Sequence, residues 1–454
     1  MIHKYRLGGY SIVLDVNSGT VHVLDDVTYD LLDYAENALP GNLPQAAVAA
    51  LSEKYGRESL EDSWKEIAQL HSQGLLFSPD VYDAYRNAGE HAPIKSMCLN
   101  ISHDCNLRCK YCFASTGDFG SGRKLMPFEV GKAAIDFILE KSAGRHNLEI
   151  DFFGGEPLMN FDTVKKVVEY GREASRPVHK NIRFTITTNG LLLDDDKIDF
   201  INREMSNVVL SIDGRKEVND KMRIRTDGTG SYDEILKNFK NLVEKRNHEN
   251  YYVRGTFTRE NLDFMADVLH LADLGFDQVS VEPVIAGEEL PYSIGEAELP
   301  GIFEEYEKLS EEIIKRHRQG RKFNFFHFMI DLDHGPCAIK LLKGCGCGNE
   351  YVAVTPDGDI YPCHQFVGHD EFVMGNVLNH DGGMIDEKMK DQFSKANIFT
   401  KAGCSECWAK FFCSGGCNAN NHEFNGSIFK PHSLSCKMEK KRLECAIMIK
   451  AALS

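Results

Sequence analysis

No apolar stretch in this 454-residue chain comes near the ~20 residues that span a bilayer. The opening MIHKYRLGGYSIV lacks the apolar core and small-residue cleavage site of a secretory signal, so the expected location is the cytoplasm. Positive charge is also short: 52 Lys and Arg stand against 68 Asp and Glu, a net charge of −16, with no long basic run. That excludes a partner held by neutralising phosphates, and neither nucleic acid nor membrane is an expected partner. Repeats of solenoid period are missing too. With 42% apolar and 26% charged residues, disorder and fibrous architectures are excluded as well. Cysteine, by contrast, is abundant. Of 14 in all, three fall within 105–112 and seven between 345 and 417. In a reducing compartment such clusters argue for metal rather than disulfides, and soft thiolates select zinc or iron–sulfur clusters.

Residues 1–88 read as a unit of their own. Ser11–Val16 and Thr20–Leu24 are β-rich runs around Asn17-Ser18-Gly19, a hairpin signal. Helical patterns follow over Thr28–Ala38, Leu43–Tyr55 and Ser59–Gln73. Ser59 with Asp62 makes a capping-box start for the last of these, and Gly74 is placed as its stop. A short strand, Leu75–Ser78, is expected to close the unit. This order suggests a winged helix-turn-helix, yet the last helix carries Glu61, Asp62 and Glu66 against Lys65 alone, unlike a DNA-reading helix. An exposed strand edge in such a unit suits the addition of a peptide strand.

From residue 96 strand and helix alternate. Expected strands are Ser96–Ser102, Leu148–Phe153, Ile182–Thr187, Asn207–Ile212, Tyr251–Phe257 and Gln278–Val284. Between them lie helical patterns such as Pro127–Ser142, Asp162–Ser175 and Tyr232–Lys245, and Glu298–Arg321 is a further long one. Six such units predict a parallel sheet covered by helices, three-quarters of a (β/α)8 barrel in number. Periodicity alone does not separate a barrel from an open doubly wound sheet. Beyond about residue 340, Gly, Cys, Pro and Asn dominate, and bound metal is expected to supply the order.

Strand 96–102 leads into a loop bearing Cys105, Cys109 and Cys112, spaced Cx3Cx2C. On such a loop the thiols would face the carboxyl end of the sheet, where barrel active sites lie. Three thiolates on a four-iron cube leave one iron open, whereas a zinc or ferredoxin site would want a fourth local cysteine. The next strand runs into Gly154-Gly155-Glu156-Pro157. Its glycines would let a ligand approach the backbone, and Glu156 offers an acceptor to an ammonium group. Ser211 and Asp213 stand at the end of the fourth strand, on the same rim. Cys98 and Cys445 lie in apolar surroundings and read as core residues. His3, His22, His91 and His103 have no second ligand at a metal spacing.

Cx3Cx2C with Tyr111 before its last cysteine, followed by GGEP, resembles the radical S-adenosylmethionine (SAM) superfamily. The resemblance implies that Cys105, Cys109 and Cys112 form the catalytic centre by holding a [4Fe–4S] cluster whose free iron is chelated by SAM. It assigns the segment Gly154, Gly155, Glu156 and Pro157 to the ammonium, Ser211 to the ribose and Tyr111 to the adenine. The carboxylate falls to Arg223 or Arg225, Arg223 being closer to the pattern, with Asn189 and Asp213 as further cofactor contacts.

Towards the C-terminus, Cys345, Gly358 and Cys363, then Cys404, Cys407, Cys413, Cys417 and Cys436, resemble the SPASM domain, with the last gap one residue longer than usual. That domain carries two auxiliary [4Fe–4S] clusters, which makes three in all. By resemblance Cys404, Cys407, Cys413 and Cys436 hold the second auxiliary cluster, and Cys345, Cys363 and Cys417 belong to the first. Cys337 or Cys347 could complete the first, and neither falls at the family's spacing. Left incomplete, that cluster would offer an open iron to a substrate thiolate.

The order of units resembles enzymes that modify ribosomally made peptides, and Tyr351–Phe366 with its flanking cysteines looks most like maturases of SCIFF (six-cysteine) peptides. The implied fold is α/β, a partial (β/α)6 TIM barrel with an N-terminal winged-helix-like domain and a C-terminal Cys-rich SPASM domain. Its expected divisions are a leader-binding domain at 1–88, the barrel at 89–297, a bridging helical segment at 298–340 and the SPASM domain at 341–454. The implied reaction joins a Cys sulfur to a carbon of a precursor peptide bound by its leader, with electrons from a ferredoxin or flavodoxin. Rival expectations are an anaerobic sulfatase maturase that makes formylglycine, a carbon–carbon cross-linking enzyme, a multi-cluster electron carrier and a zinc-dependent peptide-binding module.

Overall fold

The first strands are β1 (Ile2–Leu7), β2 (Tyr10–Asp15) and β3 (Val21–Leu24), an antiparallel sheet in that order. Both faces of β2 are buried. Val13 packs with Tyr29, Leu31, Leu60 and Ile67 of the N-terminal unit, whereas Ile12 and Leu14 join the main core. β1 escaped the sequence reading because its residues IHKYRL have no clean alternation and are mostly half-buried. The computed structural model describes residues 1–332, 337–379 and 385–454. Two expectations need correction. No strand forms over Leu75–Ser78; that segment is tied to the hairpin by side chains, His22 to Leu75 O at 2.9 Å and Asn17 to Ser78 O at 2.8 Å. The third helix, Arg57–Ser72, starts after Gly56 at φ +78 rather than at a Ser59 cap, while Gly74 does stop it at φ +71.

Burial alternates along the next strands: Leu148, Ile150 and Phe152 are sealed against helices, while Asp151 and Phe153 face an interior space. β4 (Ser96–Ser102), β5 (Asn147–Gly154), β6 (Asn181–Thr188), β7 (Met205–Ser211), β8 (Tyr251–Phe257) and β9 (Gln278–Pro283) all pair in parallel, each with the next in sequence. A doubly wound sheet reverses its strand order at a switch point; this one never does, so it is a barrel wall. The helices Phe128–Lys141, Phe161–Ser175 and Tyr232–Lys245 lie close to their expected bounds because each shows one apolar face.

Two edges extend the wall in ways that periodicity did not reveal. β10 (Asn324–Phe325) adds in parallel to β9, and β11 (Tyr351–Val354) adds in parallel to β4. β11 then turns back through β12 (Asp359–Tyr361) and β13 (Gly375–Asn376), so the cysteine-rich segment continues the barrel sheet. The C-terminal helix Ser433–Leu453 packs against both the helix Leu299–Arg318 and the N-terminal sheet, where His3 and Tyr5 bond Glu444. Residues 333–336 of the expected bridging segment lie outside the described residues. Among the described residues no helix is long and apolar enough to cross a membrane.

Phe184 of β6 is fully buried and stacks on Phe152 with ring centroids 5.6 Å apart. Phe184→Ala is expected to cost about 3–5 kcal/mol, read as a lower midpoint in denaturant unfolding of the oxygen-protected protein.

Candidate active site

A cavity of about 580 Å³ opens at the carboxyl ends of the barrel strands. β4 delivers Cys105, Cys109 and Cys112 to its wall on a loop stitched down by Arg108 N–H to Ile224 O (2.7 Å) and Lys110 N–H to Met222 O (3.0 Å). Cys105 Sγ accepts from the Leu107 N–H (3.4 Å) and the Asn189 amide (3.6 Å), so Asn189 braces the thiol from β6. Burial pushes the Cys105 thiol up to about 12 and Cys109 up to about 11. Ionising them together requires a cation at their centre, which is what iron supplies. Among the described residues no three His, Cys, Asp or Glu converge on a single-ion site; a cubane's thiolates each bind a different iron and stand further apart.

The GGEP segment also has a structural task. Gly154 sits at φ +124, where a Cβ would overlap Ser102 O, and a Cβ on Gly155 would overlap Asp104 O and reach Gly117 O at 2.9 Å. These glycines let the two loop backbones touch each other, rather than simply opening the chain to a ligand. Glu156 is fully buried, and its carboxylate already accepts from Leu158 N–H (3.0 Å), Thr188 Oγ1 (2.7 Å) and Asn189 N–H (2.8 Å). Burial holds its acid up at about 6. Its work is to clamp the ends of β5 and β6 together, though it also lines the cavity. Pro157 begins a helical turn and does not line it.

Tyr111 donates its hydroxyl to Asp213, 2.7 Å from both carboxylate oxygens, and accepts from Arg223 Nη1 at 3.1 Å. Asp213 also takes the Thr256 N–H (3.1 Å) and supports Tyr111; like Pro157, it is not among the residues lining the cavity. Arg223 reaches the wall, and its buried Nε has no hydrogen-bond partner among the described residues. An unmatched guanidinium N–H there fits a carboxylate. Arg225, by contrast, is engaged with Glu234 at 2.6 Å and with Gly230 O. Ser211 and Asn189 line the cavity as expected. Arg254 of β8 and Glu282 of β9, paired at 2.8 Å, also line it and were not foreseen. Their one signal was a charged residue within an otherwise apolar strand pattern.

The remaining cysteines gather in two groups. Cys404, Cys407, Cys413 and Cys436 interact with one another electrostatically. The other group holds Cys345, Cys363 and Cys417, and Cys347 joins it. Gly348 N–H bonds Pro362 O at 2.9 Å, pinning the Cys347 turn beside Cys363, whose sulfur accepts from the Cys347 thiol. Cys337 is exposed. Of the two cysteines left open as a fourth member, Cys347 is the one that stands beside Cys363. Cys98 and Cys445 are fully buried among apolar side chains, as expected of core residues.

Residues 99–272 match the radical SAM superfamily, and residues 345–408 match an iron-sulfur cluster-binding domain, SPASM. The chain carries both domains. Its cofactors are accordingly SAM and [4Fe–4S] clusters, and the thiol groups and the open Arg223 edge fit them. The radical SAM chain is 26% identical over 344 residues to a cysteine-type anaerobic sulfatase-maturating enzyme of Clostridium novyi (strain NT), covering 72% of this chain and 89% of that one. To the radical SAM cyclopropyl synthase TigE of Paramaledivibacter caminithermalis it is 22% identical over 372 residues, 76% of this chain and 72% of the relative. Among solved structures it resembles native anSMEcpe with bound AdoMet and Cp18Cys peptide, with TM-score 0.65, 20% identity, and 79% and 99% of the two chains covered. It also resembles Streptococcus suis SuiB bound to precursor peptide SuiA, with TM-score 0.52, 16% identity, and coverage of 95% and 98%. At these identities the structures share the fold.

Arg223→Met is expected to weaken SAM binding by roughly tenfold or more, the loss of a charged hydrogen bond, while Arg225→Met leaves it unchanged in equilibrium binding. Cys347→Ala is expected to alter the Mössbauer and EPR signature of one auxiliary cluster and Cys337→Ala to preserve all of them; the opposite pattern would move the fourth ligand to Cys337.

Proposed function

We propose that this radical SAM enzyme installs an intrapeptide thioether in a ribosomally made, Cys-rich precursor. The observation that supports it is the extent of the cavity, whose wall runs from Cys105, Cys109 and Cys112 past Arg254 and Glu282 to Gln365 and Asn420. Gln365 accepts from the Cys417 thiol at 3.9 Å, so the far end of the cavity abuts the first auxiliary group. A peptide residue lodged between has the SAM site on one side and an electron acceptor on the other. When bound, SAM and its cluster supply a 5′-deoxyadenosyl radical that takes one hydrogen atom, and the auxiliary clusters supply a sink for one electron.

The balance is then simple. One C–H and one S–H are lost and one C–S bond forms; one hydrogen leaves in 5′-deoxyadenosine, and the other leaves as a proton while its electron passes to the sink. The chain's own residues orient and enclose. Ser211 and Arg223 would hold the ribose and carboxylate of SAM, and Tyr111, braced by Asp213, would seat the adenine. With Cys347 filling the first auxiliary group, the substrate thiol is held by the cavity wall instead of by an iron. Phe113, Phe153, Phe366 and Phe424 on that wall keep water away from the reacting carbon.

The N-terminal unit would bind the leader. β3 is an edge strand that pairs, among the described residues, with β2 alone, and Val23 on it is exposed. The shared fold with SuiB, whose structure is bound to a precursor peptide, over 95% of this chain supports this reading. A ferredoxin or flavodoxin of the cytoplasm would supply the priming electron.

Mass spectrometry of a Cys-rich precursor after anaerobic turnover tests the proposal. Loss of two hydrogens and one alkylatable thiol per bridge is expected. Two hydrogens lost with every thiol still alkylatable would indicate a carbon–carbon link, and an aldehyde would indicate sulfatase-type maturation.

A further inference from the structure

Lys401 is 3% exposed, in the turn that leads to Cys404. Its ammonium donates to the carbonyls of Gly415 (2.9 Å) and Gly416 (3.3 Å). Cys404 and Cys413 of the second auxiliary group and Cys345 and Cys417 of the first lie near enough to act on it, and among the described residues no carboxylate forms an ion pair with it. A buried ammonium with no carboxylate partner is an uncompensated charge, and such a charge persists only if something anionic completes it.

The segment it holds is the link between the two groups. Residues 414–416 join Cys413 to Cys417, and all three lie in the left-handed region, at φ +55, +85 and +71. Ser414 is strained there, and the turn aims two successive carbonyls at the ammonium. A Cβ on Gly415 would come within 2.6 Å of Lys401 Cδ, so only glycine admits the lysine stem. A [4Fe–4S] cube with four thiolate ligands is a net anion that becomes more negative on reduction. A cation placed between two such cubes favours the reduced state of both.

We propose that Lys401 is a positioning residue of the electron path, a positive charge shared by both auxiliary clusters that raises their potentials together and keeps the first able to accept the substrate's electron. This rests on the reading that the two thiol groups hold clusters. The test is an EPR-monitored redox titration of the full chain, anaerobically reconstituted, with Lys401→Met and Lys401→Arg beside the parent. In Lys401→Met both auxiliary couples are expected to move negative, the ratio of reduced to oxidised cluster at fixed poise falling about tenfold, about 59 mV for a one-electron couple. The N-terminal cluster is expected to stay where it is, and Lys401→Arg to track the parent. Auxiliary couples unchanged in an iron-replete Lys401→Met protein would overturn the proposal. Should Lys401→Met lose iron, Lys401→Arg decides: retained iron and parental potentials support the charge, whereas loss in both variants assigns the lysine to packing and overturns it. A parent without auxiliary signals would instead sink the cluster reading on which the proposal stands.

Discussion

Backbone pressed on backbone at Gly155 is the contact on which the site depends. Asp104, just before the first catalytic cysteine, and Gly117, just after the cysteine loop, both lie where a side chain on residue 155 would be. Gly155 N–H bonds Ser102 O at 2.7 Å and Glu156 N–H bonds Asp104 O at 2.9 Å, so the end of β5 fixes the start of the cysteine loop. Glu156 then passes that order to β6 through Thr188 and Asn189, and Asn189 returns it to Cys105. Three strands thereby agree on where one thiol sits. A loop of ten residues could not hold three sulfurs in register without such support.

The same logic of tight turns recurs at the other thiol groups. Gly348 places Cys347 beside Cys363, and Gly415 admits the lysine that ties the two auxiliary groups together. Because β11 joins the barrel sheet at β4, these turns are built on the same rigid wall as the SAM site. The cavity between them therefore has thiol groups at both ends, the shape that the proposed removal of a hydrogen atom and an electron from one substrate residue needs. The N-terminal sheet, seated on the C-terminal helix, is held to this body by Ile12, Leu14 and the Glu444 contacts.

Much was legible in the residues alone, and the reason is locality. The six barrel strands, the amphipathic helices between them and the cysteine spacings are written within short windows of sequence, so period and spacing expose them. β1, β11–β13 and the helix Ser433–Leu453 were not, because β1 and the helix mix polar with apolar residues, β11–β13 run for only two to four residues each, and their order comes from neighbours distant in the chain.

By itself the sequence determined that thiols at ligand spacings lie on a parallel α/β scaffold, since ligand type and strand period are local properties. Tertiary structure alone decided that Cys347 rather than Cys337 stands beside Cys363, that Glu156 ties β5 to the end of β6, that Asp213 bonds Tyr111, that Arg254 and Glu282 line the cavity, and that Lys401 lies near both groups of thiols. Each of those roles is a distance between residues far apart in the chain, and only the closed barrel sets such distances.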